Sequence, residues 1–234
     1  GTVAKVGTPG MIDAADLAPN GAHLLVTTMV KPFSYVTPVS TFGRVEEVWD
    51  LTGKVLAKVD ERPINLGVDT TRTPTAPGVG GGDGSARRRE IVWRPDGQGL
   101  SYLEQDAAPP AADSAAAAEP PPQAGPNRNR RKDRIMQWLP PFDSAAVKTV
   151  FETDTRMSNH RFSPDAGTIF LTERTGQNVH EYAVILSDPT KKLTLARYRA
   201  DDVYSNPGSL IVRGKALGGG GFGGGFGFGR RSDA

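Results

Sequence analysis

One short pattern occurs three times in this chain and constrains its fold more than any other feature of the sequence. It consists of an apolar residue, a variable residue, Pro, Asp or Asn, Gly or Ala, and then a short apolar run. The copies span residues 17–28, 93–105 and 162–174. Pro fixes the first corner of a turn, and Asp, Asn and Gly accept the left-handed conformation that follows. Each copy therefore predicts a tight hairpin that leads into a buried strand.

The segments that follow each copy contain further strand patterns. Residues 45–51 and 54–59 alternate between apolar and polar around a Thr52-Gly53 turn, which is typical of a hairpin. Similar pairs follow the other copies, at 134–139 with 147–152 and at 181–186 with 193–198. Three units of four antiparallel strands predict an all-β fold, a partial β-propeller of about three blades with disordered insertions. The predicted blades cover about 11–60, 88–153 and 157–199.

Two low-complexity insertions interrupt the units. One is rich in Gly, Pro and Thr at about 65–86, and the other is rich in Ala and Pro at about 106–132. Such segments bury too little apolar area to offset their ordering entropy, so we expect them to be disordered. Without them, successive copies lie roughly 40–55 residues apart, close to the length of a four-stranded blade. Residues 1–213 then form an incomplete propeller, in which a fourth blade begins near Val203 with an opening strand at 210–212, and 214–234 form a flexible Gly/Phe-rich segment.

Composition excludes several classes of protein. The 234 residues contain no cysteine, which excludes a disulfide framework and a cysteine metal site. The net charge of +2 is too small to favour a nucleic-acid partner, and no apolar run reaches the length of a membrane span. The chain starts at Gly1 rather than Met and shows no signal peptide. We therefore interpret both ends as artificial and the chain as a fragment.

The sequence shows no pattern typical of a catalytic or metal site. The serines at 85, 144 and 209 lack the flanking glycines of the turn that exposes a hydrolase nucleophile. His180-Glu181 has no second histidine at the zinc-protease spacing. We expect His23, His160 and His180 to be ordinary polar residues of strands or loops. The sequence therefore predicts no catalytic, cofactor-binding or metal-binding residue, and no cofactor is expected.

Other conspicuous residues also favour structural roles. The basic runs at 87–89 and 128–132 flank the insertions, which favours solvated loops over a nucleic-acid surface. Trp49, Trp93 and Trp138 lie on predicted strands and are expected in the core. Gly218–Gly229 matches a nucleotide-binding glycine pattern only because it is nearly all glycine, and no strand and helix flank it.

Several of these segments resemble the propeller of the prolyl oligopeptidase family of serine peptidases, in its glutamyl-endopeptidase-like branch. The similar segments are 31–38 with 45–49, 162–165 with 172–174, and 176–182. The resemblance implies an N-terminal propeller that screens peptides by size and a C-terminal α/β-hydrolase domain that carries a Ser-Asp-His triad. That hydrolase domain and several blades have no counterpart in this chain, so no catalytic residue is carried over.

Two hypotheses follow for the function. In the first, the chain is a non-catalytic propeller fragment of an exported, periplasmic or secreted, serine peptidase, and it gates peptide access to the hydrolase domain. The fragment itself is then inactive, although its parent protein is an enzyme. In the second, it is a non-enzymatic periplasmic binding or scaffold propeller of the translocation-associated type. Three blades cannot close a ring, so we also expect an open face at each end, marginal stability and aggregation.

Overall fold

A computed structural model describes residues 5–65, 88–106 and 131–208 of the chain. In these ranges, twelve strands form three four-stranded antiparallel sheets, and the only helices are short 3-10 turns. The predicted all-β class with three four-stranded units is confirmed. The predicted insertions and the segment 214–234 lie outside the described residues, apart from Asn65, Asp106, Arg131 and Lys132.

Each sheet is built from four strands that follow one another in the sequence, and neighbours in sequence are neighbours in the sheet. Sheet 1 contains β1 (Met11–Leu17), β2 (His23–Val30), β3 (Gly43–Asp50) and β4 (Val55–Arg62). Sheet 2 contains β5 (Arg88–Trp93), β6 (Leu100–Gln105), β7 (Asp133–Trp138) and β8 (Val147–Thr153). Sheet 3 contains β9 (Met157–Phe162), β10 (Thr168–Thr175), β11 (Asn178–Ile185) and β12 (Lys192–Arg199).

The repeated turn joins the first two strands of every sheet, and the structure corrects one detail of it. The left-handed residue is the one after Asn or Asp: Gly21, Gly97 and Ala166 have φ of 70°, 69° and 56°. The Asn and Asp side chains instead accept backbone N–H groups two residues further on, as Asp165 does from Gly167 at 3.2 Å. The third copy therefore places an alanine in a conformation that costs an L-residue about 1–2 kcal/mol.

The three sheets pack face to face through two apolar layers. The layer between sheets 1 and 2 is aromatic, with Trp93, Tyr102, Trp138 and Phe142 against small aliphatic residues of sheet 1. The layer between sheets 2 and 3 includes Leu103, Ile135 and Phe151 from sheet 2 and Met157, Ile169, Leu171, Tyr182 and Val184 from sheet 3. Alternation along β6 explains how one sheet serves both layers, because Tyr102 faces sheet 1 while Leu103 faces sheet 3.

Hydrogen bonds connect the first strands of neighbouring sheets. The indole Nε1 of Trp93 on β5 donates to the carbonyl of Asp16 on β1 at 3.2 Å. The Asn20 amide of the first turn donates to the carbonyl of Gly97 in the second turn at 2.7 Å. Glu90 on β5 likewise accepts from the N–H groups of Asn159 and His160 on β9. The three sheets thus stack with their first strands together, which is a propeller-like arrangement.

The antiparallel order gives the stack two distinct sides. The repeated turns and the other short turns, such as 51–54 and 186–191, lie on one side, which we call the turn side. The connections 31–42 and 154–156, and the ends of β4, β6 and β12, lie on the other side, which we call the loop side. Because every sheet has four strands, the chain enters and leaves each sheet on the loop side.

The outer face of sheet 1 is not fully open, which modifies the expectation of an open face at each end. The segment 5–10 crosses this face, and Gly7 lies against the indole of Trp49, which is only 8% exposed. A Cβ on Gly7 would come within 2.6 Å of that ring. At the other end, Leu193 and Leu195 of β12 remain about half exposed.

The structure also bears on the expected fourth blade and on membrane spans. Val203 lies in a turn, and within the described residues no strand follows Arg199. The fourth blade therefore stays a prediction. The predicted strand at 210–212 lies outside the described residues. Among the described residues, no helix is long and apolar enough to cross a membrane.

Gly97 provides a test of the contact between the first two repeated turns. We expect Gly97→Ala to lower the free energy of unfolding by about 2–4 kcal/mol, since it adds left-handed strain to a clash. The added Cβ would lie 2.6 Å from Cβ of Asn20. Gly176→Ala is the matched control, because Gly176 has φ of 61° but nothing within 4 Å of the added carbon. Equal losses in urea denaturation would show that the two turns do not pack tightly.

Candidate functional site

A buried ion pair joins sheets 2 and 3 on the loop side. Asp133, at the start of β7, is fully buried, and both of its carboxylate oxygens accept from Nη2 of Arg89 at 2.6 Å. One of these oxygens also accepts the backbone N–H of Met157 at 2.7 Å, while Arg89 Nη1 donates to the Met157 carbonyl at 3.1 Å. The pair thus holds both polar groups of the first residue of β9.

A second carboxylate continues this network along β9. Glu90 accepts the backbone N–H groups of Asn159 at 3.1 Å and of His160 at 2.7 Å. Glu90 and Asn159 both have positive φ, of 51° and 56°, which is uncommon for residues other than glycine. The unusual backbone on both strands positions the Glu90 carboxylate opposite the two N–H groups.

The network ends in a serine–histidine contact that invites comparison with a catalytic pair. Nε2 of His160 lies 3.1 Å from Oγ of Ser101, and Nδ1 lies 3.4 Å from the Glu90 carbonyl. Ser101 is fully buried and His160 is 4% exposed, so no carbonyl group of a substrate can reach the hydroxyl. Burial lowers the pKa of His160 to about 4, although the bond to the Glu90 carbonyl opposes this. The contact therefore acts in packing between sheets.

A more open polar site lies at the loop-side end of sheet 3, around Glu173. Its carboxylate accepts from the Tyr182 hydroxyl at 2.8 Å, from Lys192 Nζ at 2.8 Å and from the Thr153 hydroxyl of sheet 2 at 2.9 Å. Burial alone would raise the pKa of Glu173, but these hydrogen bonds outweigh it and the pKa is lowered. Burial and the same carboxylate raise the pKa of Tyr182. Glu173 is thus ionised and already compensated by Lys192.

Beside Glu173, the ends of β10, β11 and β12 enclose an open cleft of about 560 Å³. Its charged and polar lining includes Glu173, Asn178, His180, Arg197, Arg199 and Ser205. Arg199 is paired with Asp201 at 2.8 Å, whereas the guanidinium of Arg197 has no hydrogen bond or ion pair with any residue of the described ranges. Burial, followed by the charge of Arg197, lowers the pKa of His180, which favours its neutral form. Among the described residues, the cleft therefore carries one positive charge without a partner, and it can bind an anionic group.

The structure places the residues singled out in the sequence in separate locations. His23 stacks near Trp93 and contacts Phe142 edge-on, His160 is buried between sheets 2 and 3, and His180 lines the cleft. The three tryptophans are all less than 9% exposed, in accordance with their expected core positions. Ser144 lies in an exposed 3-10 turn, and Ser85 and Ser209 lie outside the described residues.

The basic runs contribute several structural contacts where they are described. Arg88 lies over the rings of Tyr102 and Trp138 and donates to the Val59 carbonyl at 2.7 Å. Arg131 donates through Nε to the Asp106 carbonyl. Within the same ranges, no three His, Cys, Asp or Glu side chains come together in a way that could hold a metal ion.

Sequence reasoning did not single out Arg197 or Glu173. Arg197 stands in a strand of alternating basic and apolar residues, which is typical of a solvated edge strand. Glu173 belongs to a copy of the repeated pattern and was assigned only to a strand. The sequence offered one signal for them: both residues lie near strand ends on the same side of one sheet.

Comparison with solved structures finds only distant likeness. TolB from Acinetobacter baumannii aligns with 81% of this chain and 32% of its own, at 15% identity and a TM-score of 0.37. Oligogalacturonate lyase from Vibrio parahaemolyticus aligns with 80% of this chain and 55% of its own, at 9% identity and a TM-score of 0.38. TM-scores below 0.5 do not establish a common fold, and neither likeness bears on function.

Comparison with known sequences is more informative. No family model matches the chain. A probable chloroplastic glutamyl endopeptidase of Oryza sativa is 22% identical over 224 residues, which are 93% of this chain and 21% of that protein. The protein of the same name from Arabidopsis thaliana is 23% identical over 219 residues, which are 91% of this chain and 20% of that protein. The chain thus spans about a fifth of the length of the curated relatives it matches.

Proposed function

We propose that this chain is part of the non-catalytic propeller of a serine peptidase and that it gates the access of peptides to a hydrolase domain. The alignment of nearly the whole chain with two probable glutamyl endopeptidases carries this proposal. The three stacked four-stranded sheets support it, since they provide a propeller-like scaffold. The partners are then a peptide substrate and an α/β-hydrolase domain of the same parent protein.

The position of the cleft supports this role. It opens on the loop side, where the chain enters and leaves every sheet, and this is the side on which a domain joined to the last strand would begin. An uncompensated guanidinium at this position suits an acidic group on a passing peptide. The two relatives are named as probable glutamyl endopeptidases, which is consistent with an acidic substrate.

The proposal includes a cellular location. We place the parent protein in the periplasm or outside the cell, where an extended peptide substrate would be available. The two curated relatives are named as chloroplastic, so they do not support a periplasmic or secreted location. The export of this protein from the cytosol is therefore a separate proposal. Fractionation of the source cells, with antibodies to the chain, tests it directly.

Two measurements test the peptidase role. Residues 1–234 alone should neither cleave peptides nor react with a fluorophosphonate probe, and cleavage that the probe inhibits would contradict a non-catalytic role. The reading frame beyond the codon for Ala234 should encode a Gly-x-Ser-x-Gly sequence followed by Asp and His. A frame that encodes only further propeller units would instead support the second hypothesis, a binding or scaffold propeller.

Arg197 provides a test of substrate contact in the complete enzyme. We expect Arg197→Gln to lower kcat/KM about tenfold for a peptide with Glu at the cleaved bond, because a charge-assisted hydrogen bond is lost. The matching peptide with Gln should be affected much less. Arg174→Gln is the control, since Arg174 lies on the same sheet but donates to Gly176 and Gln177 instead of lining the cleft. Equal losses with both peptides would exclude a contact between Arg197 and the acidic group.

A further inference from the structure

The connection between β2 and β3 is an exposed segment of unusual composition. Residues 32–43 contain no charged side chain, although 23% of all residues in the chain are charged. The segment carries four exposed apolar side chains, Phe33, Tyr35, Val36 and Val39. Tyr35 and Val36 are 109% and 93% exposed, so they contact almost nothing in the described chain. Aromatic enrichment together with depletion of charge is typical of the core of a protein interface.

The segment is held in a defined conformation despite this exposure. The rings of Phe33 and Phe42 lie 5.6 Å apart and close its base. The Ser34 hydroxyl accepts the N–H of Val36 at 3.1 Å, and a 3-10 turn at 39–41 is followed by a bond from Asn65 N–H to the Thr41 carbonyl at 2.8 Å. A preorganised loop loses little entropy on binding, so its two most exposed side chains, Tyr35 and Val36, are suited to anchor a partner.

The topology indicates which partner can reach this loop. Each sheet ends with a strand that runs towards the loop side, as β4, β8 and β12 do, so the segment that follows any complete sheet starts on that side. A domain that follows the last sheet is therefore tethered on the side where Tyr35 and Val36 project. Tethering raises the effective concentration of such a domain to about the millimolar range.

We propose that Tyr35 and Val36 anchor the domain that follows the propeller in the same polypeptide, by inserting into an uncharged pocket on its surface. This inference rests on the proposed function for the existence of that domain. The occupant is a folded protein surface with an apolar pocket. A lipid surface is disfavoured because two anchoring side chains bind membranes weakly by themselves.

The test compares thiol reactivity in the polypeptide extended to its natural stop codon. Residues 1–234 contain no cysteine, so Tyr35→Cys and Leu51→Cys each place a single thiol in this part of the polypeptide, on the loop side and the turn side respectively. Leu51 is 53% exposed, and the structure of the chain alone thus makes position 35 the more reactive. Docking reverses this order, because a packed interface excludes solvent. The alkylation rate at position 35 is expressed relative to that of the urea-unfolded protein, and it is expected to fall about tenfold or more. Val36→Cys repeats the measurement if Tyr35→Cys fails to fold.

The outcomes are distinct from those for the proposed function. A polypeptide that reacts with a fluorophosphonate probe but alkylates faster at position 35 than at 51 retains the peptidase role and overturns the docking. Protection at position 35 without probe labelling retains docking to a following domain and overturns the peptidase role. Protection that appears only after phosphatidylcholine and phosphatidylglycerol vesicles are added overturns the docking in favour of lipid. A stop codon directly after Ala234 overturns both.

Discussion

Replacing Asp133 with Asn is expected to lower the free energy of unfolding by about 3–5 kcal/mol, because it leaves the Arg89 guanidinium partly buried without its counter-ion. Asp133 is fully buried and serves two functions: it pairs with Arg89 and accepts the first N–H of β9. The amide of Asn would retain one acceptor and would turn its N–H groups towards a cation. Since a loss of this size approaches the whole stability of a small domain, the variant is expected to unfold at low urea concentration or without urea.

Two further variants distinguish the stability contributed by the buried pair from that contributed by charged residues in general. Glu152→Gln removes a carboxylate that pairs with Arg134 at 3.2 Å on the exposed surface, and little change in the urea midpoint is expected. The double variant Arg89→Met with Asp133→Leu removes both charges, and it is expected to recover only part of the loss. Apolar replacement of a buried pair is often neutral, but here the N–H and carbonyl of Met157 also lose their partners. An Asp133→Asn protein as stable as Glu152→Gln would show that sheets 2 and 3 do not depend on this pair.

The hairpin repeat predicts the strands well because its information is local. The predicted strands at 134–139 and 147–152 differ by only one residue at either end from Asp133–Trp138 and Val147–Thr153. A turn fixed by Pro and Gly, followed by alternating apolar residues, specifies both the corner and the face that is buried. The three-sheet architecture could therefore be predicted from the sequence.

The polar network between the sheets could not be predicted in the same way. Asp133 follows directly after a basic run and an insertion, where a solvated carboxylate is the ordinary interpretation, yet it is fully buried. Its partner Arg89 is 44 residues away, and Glu90 and His160 are 70 residues apart. No local pattern reports which sheet faces which, so contacts of this range become visible only when the sheets are stacked.

The cleft shows the same limit. Glu173, His180 and Arg197 lie on three successive strands, and antiparallel pairing places Glu173 opposite His180 and His180 opposite Arg197. The register could be inferred once the hairpins were known. The turn at 201–202 gives Arg199 its counter-ion, Asp201, whereas no described acidic residue pairs with Arg197, and no local pattern in the sequence reports this difference.

The second large effect is a loss of stability between pH 6.5 and pH 4. Burial between sheets lowers the pKa of His160 to about 4, whereas histidine in an unfolded chain titrates near 6.5. Between these values the unfolded chain binds a proton that the folded chain does not. The free energy of unfolding therefore falls as the pH is lowered through this window, by about 3 kcal/mol in total, and the loss ends below pH 4.

His160→Gln isolates this contribution from the other titrating groups. Most carboxylates with lowered pKa values, such as Asp96 and Asp165, lose their stabilising contacts below this window. Glu46, whose pKa is raised by burial, acts in the opposite direction within it. Gln can keep a hydrogen bond to Ser101 but cannot titrate, so the pH dependence of the urea midpoint should become much shallower in the variant, whatever its absolute stability. His180, whose pKa burial also lowers, accounts for a smaller remaining slope. His180→Gln, at a more open site, should retain most of the wild-type slope, and equal slopes for the wild type and His160→Gln would show that His160 is solvated in the folded protein.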